Sequence, residues 1–212
     1  MNDSILEYLT RKISATEFLK CVMEDDALYA RIQNKVPQSS FAHDSVWKCS
    51  PICAEAFQYD DFDLRKTLSR GYYALTRVQR CGAAYRLIFD LFHDEYPGLA
   101  YDPYYDEISR IAIDEVPIYA DSMEAGEVLF HIIESTNGME PQARKKAIRE
   151  QIKDRFHLEK TAKQPRWVQE SEWPVEDGEP LAFLAQKKMG EKVEYRFENP
   201  KTHRQQVITQ FY

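Results

Sequence analysis

The stretch whose reading decides the fold is "WPVEDGEPLAFLAQ", residues 173–186. A Trp-Pro pair enters an acidic turn, and the turn delivers the chain into an apolar run that ends in Gln186. A short apolar run bounded by turn signals suits a strand. Downstream, "VEYRFENP" and "QQVITQFY" suit strands too, with Met189-Gly190 and Asn199-Pro200 as turns between them. The spacing predicts a three-strand antiparallel meander. A meander of that size is marginal alone, so it is expected to pack against helices. Trp173-Pro174 would fix the entering loop, and Leu181, Phe183 and Leu184 would anchor the sheet.

Upstream the pattern is helical. "SATEF" places Ser14 and Glu17 at the spacing of a capping box, ahead of an apolar face formed by Phe18, Leu19 and Val22. Ile5, Leu6 and Leu9 precede it, Leu28, Ile32 and Val36 follow, and Pro37 interrupts. From Leu64 through Leu68, Tyr72, Leu75 and Val78 to residues 85–92, apolar positions recur every three or four residues, with Gly71 and Gly82 as weak points. Pro97-Gly98 ends that run. Pro103 opens another helix, "DSMEAGEVLFHIIES" is a further one stopped by Asn137-Gly138, and "EPQARKKAIREQIKDRF" is the last. The expected fold is α+β: a helical body over residues 1–160 and a C-terminal β-meander over 161–212, packed together as one compact unit.

With 212 residues the chain can bury a core without disulfide or metal staples. Seven glycines are few, and no GxGxxG or GxxxxGK[ST] occurs, which argues against a phosphate-cradling loop. The 13 tyrosines and 11 phenylalanines offer both core volume and interface anchors. Cys21, Cys49, Cys53 and Cys81 form no CxxC and read as reduced thiols. The start has no secretory pattern and no apolar run approaches 18 residues, so a cytoplasmic location and no membrane partner are expected.

Charge is distributed unevenly. Residues 90–140 hold 13 acidic side chains and one base, Arg110, whereas residues 141–166 hold nine Lys or Arg against three acids. Tyr96, Tyr101, Tyr104, Tyr105 and Tyr119 punctuate the acidic stretch. Two readings compete. The carboxylates are either solvated helix faces and caps, partly neutralised by the basic helix that follows, or a docking surface for a basic protein. Concentrated negative charge speeds encounter with a cationic partner and repels nucleic acid. On the docking reading Asp102, Asp106, Glu107 and Asp114 face cations of the partner, while Tyr101, Tyr104 and Tyr105 fill the contact centre.

Catalytic grammar is sparse. There is no HExxH and no GxSxG. His131 shares a helix face with Glu127 and Glu134, but metal-binding bundles need Glu-x-x-His repeated on other helices. The carboxylates of "HDE" at residues 93–95 and "YDDFD" at residues 59–63 are more simply helix ends. Cys81 lies among basic residues that would favour a thiolate, yet its helical spacing suits a packed thiol. No cofactor, no metal and no catalytic residue is implied. An enzyme with a site assembled from distant residues, or a structural or regulatory subunit, are the competing classes.

The segment "PRWVQESEWPVEDGEPLAFLAQKK" resembles the YwqG-like family through Trp173, Pro174, Gly178, Pro180, Leu181, Phe183, Leu184 and Gln186. The opening "ILEYLTRKISATEFLKCVMEDDALYARI" resembles the helical start of bacterial toxin-immunity proteins. The larger β-rich body of YwqG-like proteins has no counterpart here, so no functional residue carries over. The resemblances imply a bacterial immunity-type protein that binds and blocks a cognate toxin.

Overall fold

The computed structural model describes residues 3–36, 64–71, 73–158 and 164–212. The readings placed on Pro37, Cys49, Cys53, residues 59–63 and Tyr72 lie outside the described residues. The fold is α+β, mainly helical with a small antiparallel sheet at the C-terminal end. The described helices are α1 (Ser4–Leu9), α2 (Ala15–Glu24), α3 (Asp26–Lys35), α4 (Leu64–Arg70), α5 (Cys81–Phe92), α6 (Tyr104–Glu115), α7 (Gly126–Glu134) and α8 (Pro141–Arg155). The strands are β1 (Val175–Glu176), β2 (Glu179–Pro180), β3 (Ala182–Met189), β4 (Lys192–Glu198) and β5 (Gln205–Phe211).

The chain divides into two compact units. The first comprises residues 1–75 and 80–103, the second residues 76–79 and 104–212. The division therefore falls near residue 103 and not near 160, because the last three helices share their core with the sheet.

In the first unit, α2 begins at the predicted capping box. The Glu17 N–H donates to the Ser14 hydroxyl at 3.1 Å, and the Ser14 N–H donates to the Glu17 carboxylate at 2.8 Å. Both satisfy donors that a helix start leaves orphaned. The Tyr8 ring stacks on Phe18 at 4.4 Å and meets the edge of Tyr85 at 5.6 Å, and the Tyr85 hydroxyl donates to the Leu9 carbonyl at 2.9 Å. The run from Leu64 to Phe92 is two helices and not one. The chain turns between Arg70 and Cys81, and residues 76–79 belong to the second unit.

In the second unit, the sheet has the order β3-β4-β5, antiparallel throughout, as the turn signals predict. Alternate residues Val193, Tyr195 and Phe197 of β4 are buried and face the core. Trp173 is fully buried: its ring meets Phe156, just after α8, at 5.3 Å and Phe197 at 5.4 Å, and its indole N–H donates to the Leu181 carbonyl. The meander thus packs on a helix of its own unit. Before it, β1 and β2 form a short hairpin through Asp177 and Gly178, both at positive φ, the backbone that a tight two-residue turn demands. Leu181 and Phe183 anchor the sheet as expected, but Leu184 does not. It sits in a β-bulge between Phe183 and Ala185 and is 44% exposed.

Candidate protein-binding surface

The acidic stretch is split between the two units. Asp90, Asp94, Glu95, Tyr101 and Asp102 belong to the first unit, and the members from Tyr104 onward belong to the second.

In the first unit Glu95 and Asp102 are matched by cations of the same unit, and Asp94 meets the His93 ring at 3.1 Å. Glu95, in the 3-10 turn His93–Glu95, pairs with Lys35 at 2.5 Å and Arg31 at 2.7 Å. Those two bonds hold its carboxyl below the usual carboxylate range. Arg31 also binds Asp3 at 3.2 Å. Burial pushes the Asp3 carboxyl up, but the Tyr96 hydroxyl and Arg31 outweigh it and leave the group lowered. Asp102 pairs with Arg11 at 2.7 Å. Tyr101 packs on Tyr85 and Phe89, with the Arg86 guanidinium 5.0 Å from its ring centre. Asp102 and Tyr101 are thus engaged within their own unit.

In the second unit, α6 is amphipathic. Tyr105, Ile108, Ile111, Ala112 and Glu115 face inward, at the three- and four-residue spacing of a helix. Tyr105 is only 5% exposed and packs edge-on to Phe130, so it belongs to the core and not to a contact centre. Glu115 is the surprise: a carboxylate whose side chain is 1% exposed, held by Arg149 at 2.6 Å and Lys145 at 3.5 Å from α8. Lys145 also lies 4.0 Å from Asp114. A cavity of about 230 Å³ opens here, lined by Ile111, Met139 and Ile148 with Arg110, Asp114 and Lys145. Asp121, fully buried, accepts the backbone N–H of Val78 at 3.0 Å and lies 3.8 Å from Arg77. Lys145 and Arg149 of α8 and Arg77 therefore compensate the middle of the acidic run, Asp114, Glu115 and Asp121.

What remains acidic is the first half of α6 together with α7. Among the described residues, exposed Glu107, Glu124, Glu127 and Glu140 have no ion pair. Asp106 is half-buried in the first turn of α6, where carboxylates favour the positive end of the helix dipole. The half-exposed Tyr104 donates its hydroxyl to Glu134, which joins the start of α6 to the end of α7. Glu107 lies one turn beyond Tyr104 on the same side of α6, and Glu127, His131 and Glu134 lie along one exposed side of α7. The surface so assembled is Tyr104, Glu107, Glu127 and Glu134.

Of the residues predicted to bind a partner, Tyr104 and Glu107 lie on this surface. Asp106 adjoins it, Asp114 lies at the cavity beside Lys145, and Tyr101 and Asp102 lie in the other unit. Glu127 and Glu134 are not among the residues predicted to bind a partner, although their seven-residue spacing puts them on one helix face. Among the described residues no group of three or more His, Cys, Asp or Glu is arranged to hold a metal ion. Cys81 is buried at the start of α5. No helix among the described residues is long and apolar enough to cross a membrane. Comparison with protein-family models, characterised proteins and solved structures finds no match to this chain.

Proposed function

We propose that this chain is a bacterial immunity-type protein, acting in the cytoplasm, that binds a basic toxin domain through Tyr104, Glu107, Glu127 and Glu134 and blocks it by occlusion. The observation that carries the reading is the selective loss of charge elsewhere. Six of the thirteen acids from Asp90 to Glu140, namely Asp94, Glu95, Asp102, Asp114, Glu115 and Asp121, lie in ion pairs with Lys, Arg or His within the protein, whereas Glu107 and Glu127 face solvent with no ion pair among the described residues. Uncompensated carboxylates on adjoining helices create a local negative potential that speeds encounter with a positive surface. Tyr104, already oriented by Glu134, adds aromatic contact area at small entropic cost. The resemblance of the N-terminal helices to immunity proteins points to the same class.

The mechanism needs no cofactor. Lysines or arginines of the toxin would meet Glu107 and Glu127, and the body of the second unit would cover the toxin's active groove. The test is to read the neighbouring frames for a basic toxin domain and to co-express it with this chain. Stable co-purification together with rescue of growth supports the proposal. A toxin that neither binds nor is neutralised contradicts it.

A further inference from the structure

The two edges of the three-strand sheet differ. Edge strand β3 carries Lys187 and Lys188 and is interrupted by the bulge at Leu184, devices that discourage strand-to-strand association. Edge strand β5, "QQVITQF", has no charge, no proline and no bulge, and its register with β4 is continuous. It also exposes Val207 at 51% and Phe211 at 58%.

The direction of its backbone groups follows from one hydrogen bond. The Tyr212 N–H donates to the Glu191 carbonyl across the Lys192–Phe211 pair, so Phe211 is a non-hydrogen-bonded partner of Lys192. Alternation then turns the N–H and C=O of Gln205, Val207, Thr209 and Phe211 away from β4. Among the described residues these groups meet no other strand; the Phe211 carbonyl accepts a bond from the Gln169 side chain.

About Ile208 the inner residues of this edge mirror one another, whereas the outer pair, Gln205 and Phe211, does not. Gln206 mirrors Gln210, and Val207 mirrors Thr209, which has nearly the same shape. We infer that β5 pairs with β5 of a second copy, antiparallel, about a two-fold axis at Ile208. In that register Val207 of each copy lies opposite Thr209 of the other, and both present outward N–H and C=O groups, as a hydrogen-bonded pair requires. Because the axis keeps like faces together, Val207 and Phe211 remain on the face that carries Lys192, Glu194 and Arg196. No charge opposes its like within the new seam, in contrast to a β3–β3 pairing, which would bring lysines together.

The test is the mass of the full chain in solution, measured by light scattering and sedimentation across a wide concentration range. The wild type is expected to be a dimer that dissociates on dilution. Two double variants at exposed positions fix the register. Val207→Glu/Thr209→Glu places like charges opposite each other across the axis and is expected to be monomeric. Val207→Glu/Thr209→Lys places opposite charges there and is expected to recover the dimer. A wild type that stays monomeric at every concentration overturns the inference and leaves the edge to an extended segment of another protein. Equal behaviour of the two variants also overturns it, since a dimer formed elsewhere would not distinguish them.

Discussion

The indole of Trp173 stands edge-on to the ring of Phe156 with their centres 5.3 Å apart, joining the loop before the sheet to the end of the last helix. Trp173 has no exposure, and its N–H reaches the Leu181 carbonyl at 2.9 Å. Trp173→Ala removes this packing and leaves that carbonyl without its donor. The expected cost is about 3–5 kcal/mol. Urea titration followed by circular dichroism checks it, and a loss within experimental error would show that the sheet does not depend on this contact.

The ion pairs at Glu115 are unequal in what each partner risks. Arg149 and Lys145 are mostly exposed, and either can be rehydrated when the carboxylate is removed, while Glu115 is buried. Glu115→Gln is therefore expected to cost no more than about 1 kcal/mol. Arg149→Met combined with Lys145→Met leaves a buried charge uncompensated, and the expected cost is roughly 3 kcal/mol or more. Equal losses in the two proteins, measured by denaturant unfolding, would contradict this account.

Gly126, at the first position of α7, lies against the backbone of Thr76. A Cβ there would fall 1.9 Å from the Thr76 carbonyl oxygen. Alanine ordinarily favours a helix over glycine by about 1 kcal/mol. Here the sign reverses, and Gly126→Ala is expected to destabilise by about 1–3 kcal/mol as backbone is forced apart. A raised melting temperature would contradict the close approach.

Acid should act on the cluster of Asp3, Arg31, Lys35 and Glu95. Both carboxyls are lowered in the folded state: Asp3 by the Tyr96 hydroxyl and Arg31 against the opposing effect of burial, and Glu95 by Lys35 and Arg31. Burial and the bond to Asp3 push the Tyr96 hydroxyl up to about 12, so it remains a donor throughout. A carboxyl lowered on folding contributes stability above its unfolded pKa of about 4, and that contribution is lost as pH falls through the folded value. Arg31→Met should thus reduce the urea midpoint most near neutral pH and least near about pH 2, where both carboxyls are protonated. The same loss at both values would place the role of Arg31 in packing alone.

Local signals in the sequence were legible. Ser14 and Glu17 make the capping box that their spacing announces, and Met189-Gly190 and Asn199-Pro200 lie in the turns between strands. Long-range features were not. Glu115 and Asp121 look like solvated members of an acidic run, and only Arg149, Lys145 and the Val78 N–H, brought close by the fold, explain their burial. The break between α4 and α5 is hidden because Leu75 and Val78 keep the helical interval although residues 73–80 are not helical. For the binding surface, composition located the acidic stretch, but the pairing that separates Glu107 and Glu127 from Asp102 and Asp114 depends on residues distant in sequence.

The measurement that tests the binding account most directly is the association rate of the chain with the basic toxin domain at low and high salt. Glu107→Lys combined with Glu127→Lys is expected to slow association about tenfold or more at low salt, with the difference shrinking as salt screens the charges. Asp102→Asn, which alters a carboxylate paired to Arg11, should leave the rate nearly unchanged. Wild-type kinetics in the double charge-reversal variant at low salt would contradict the claim that this surface receives a cationic protein.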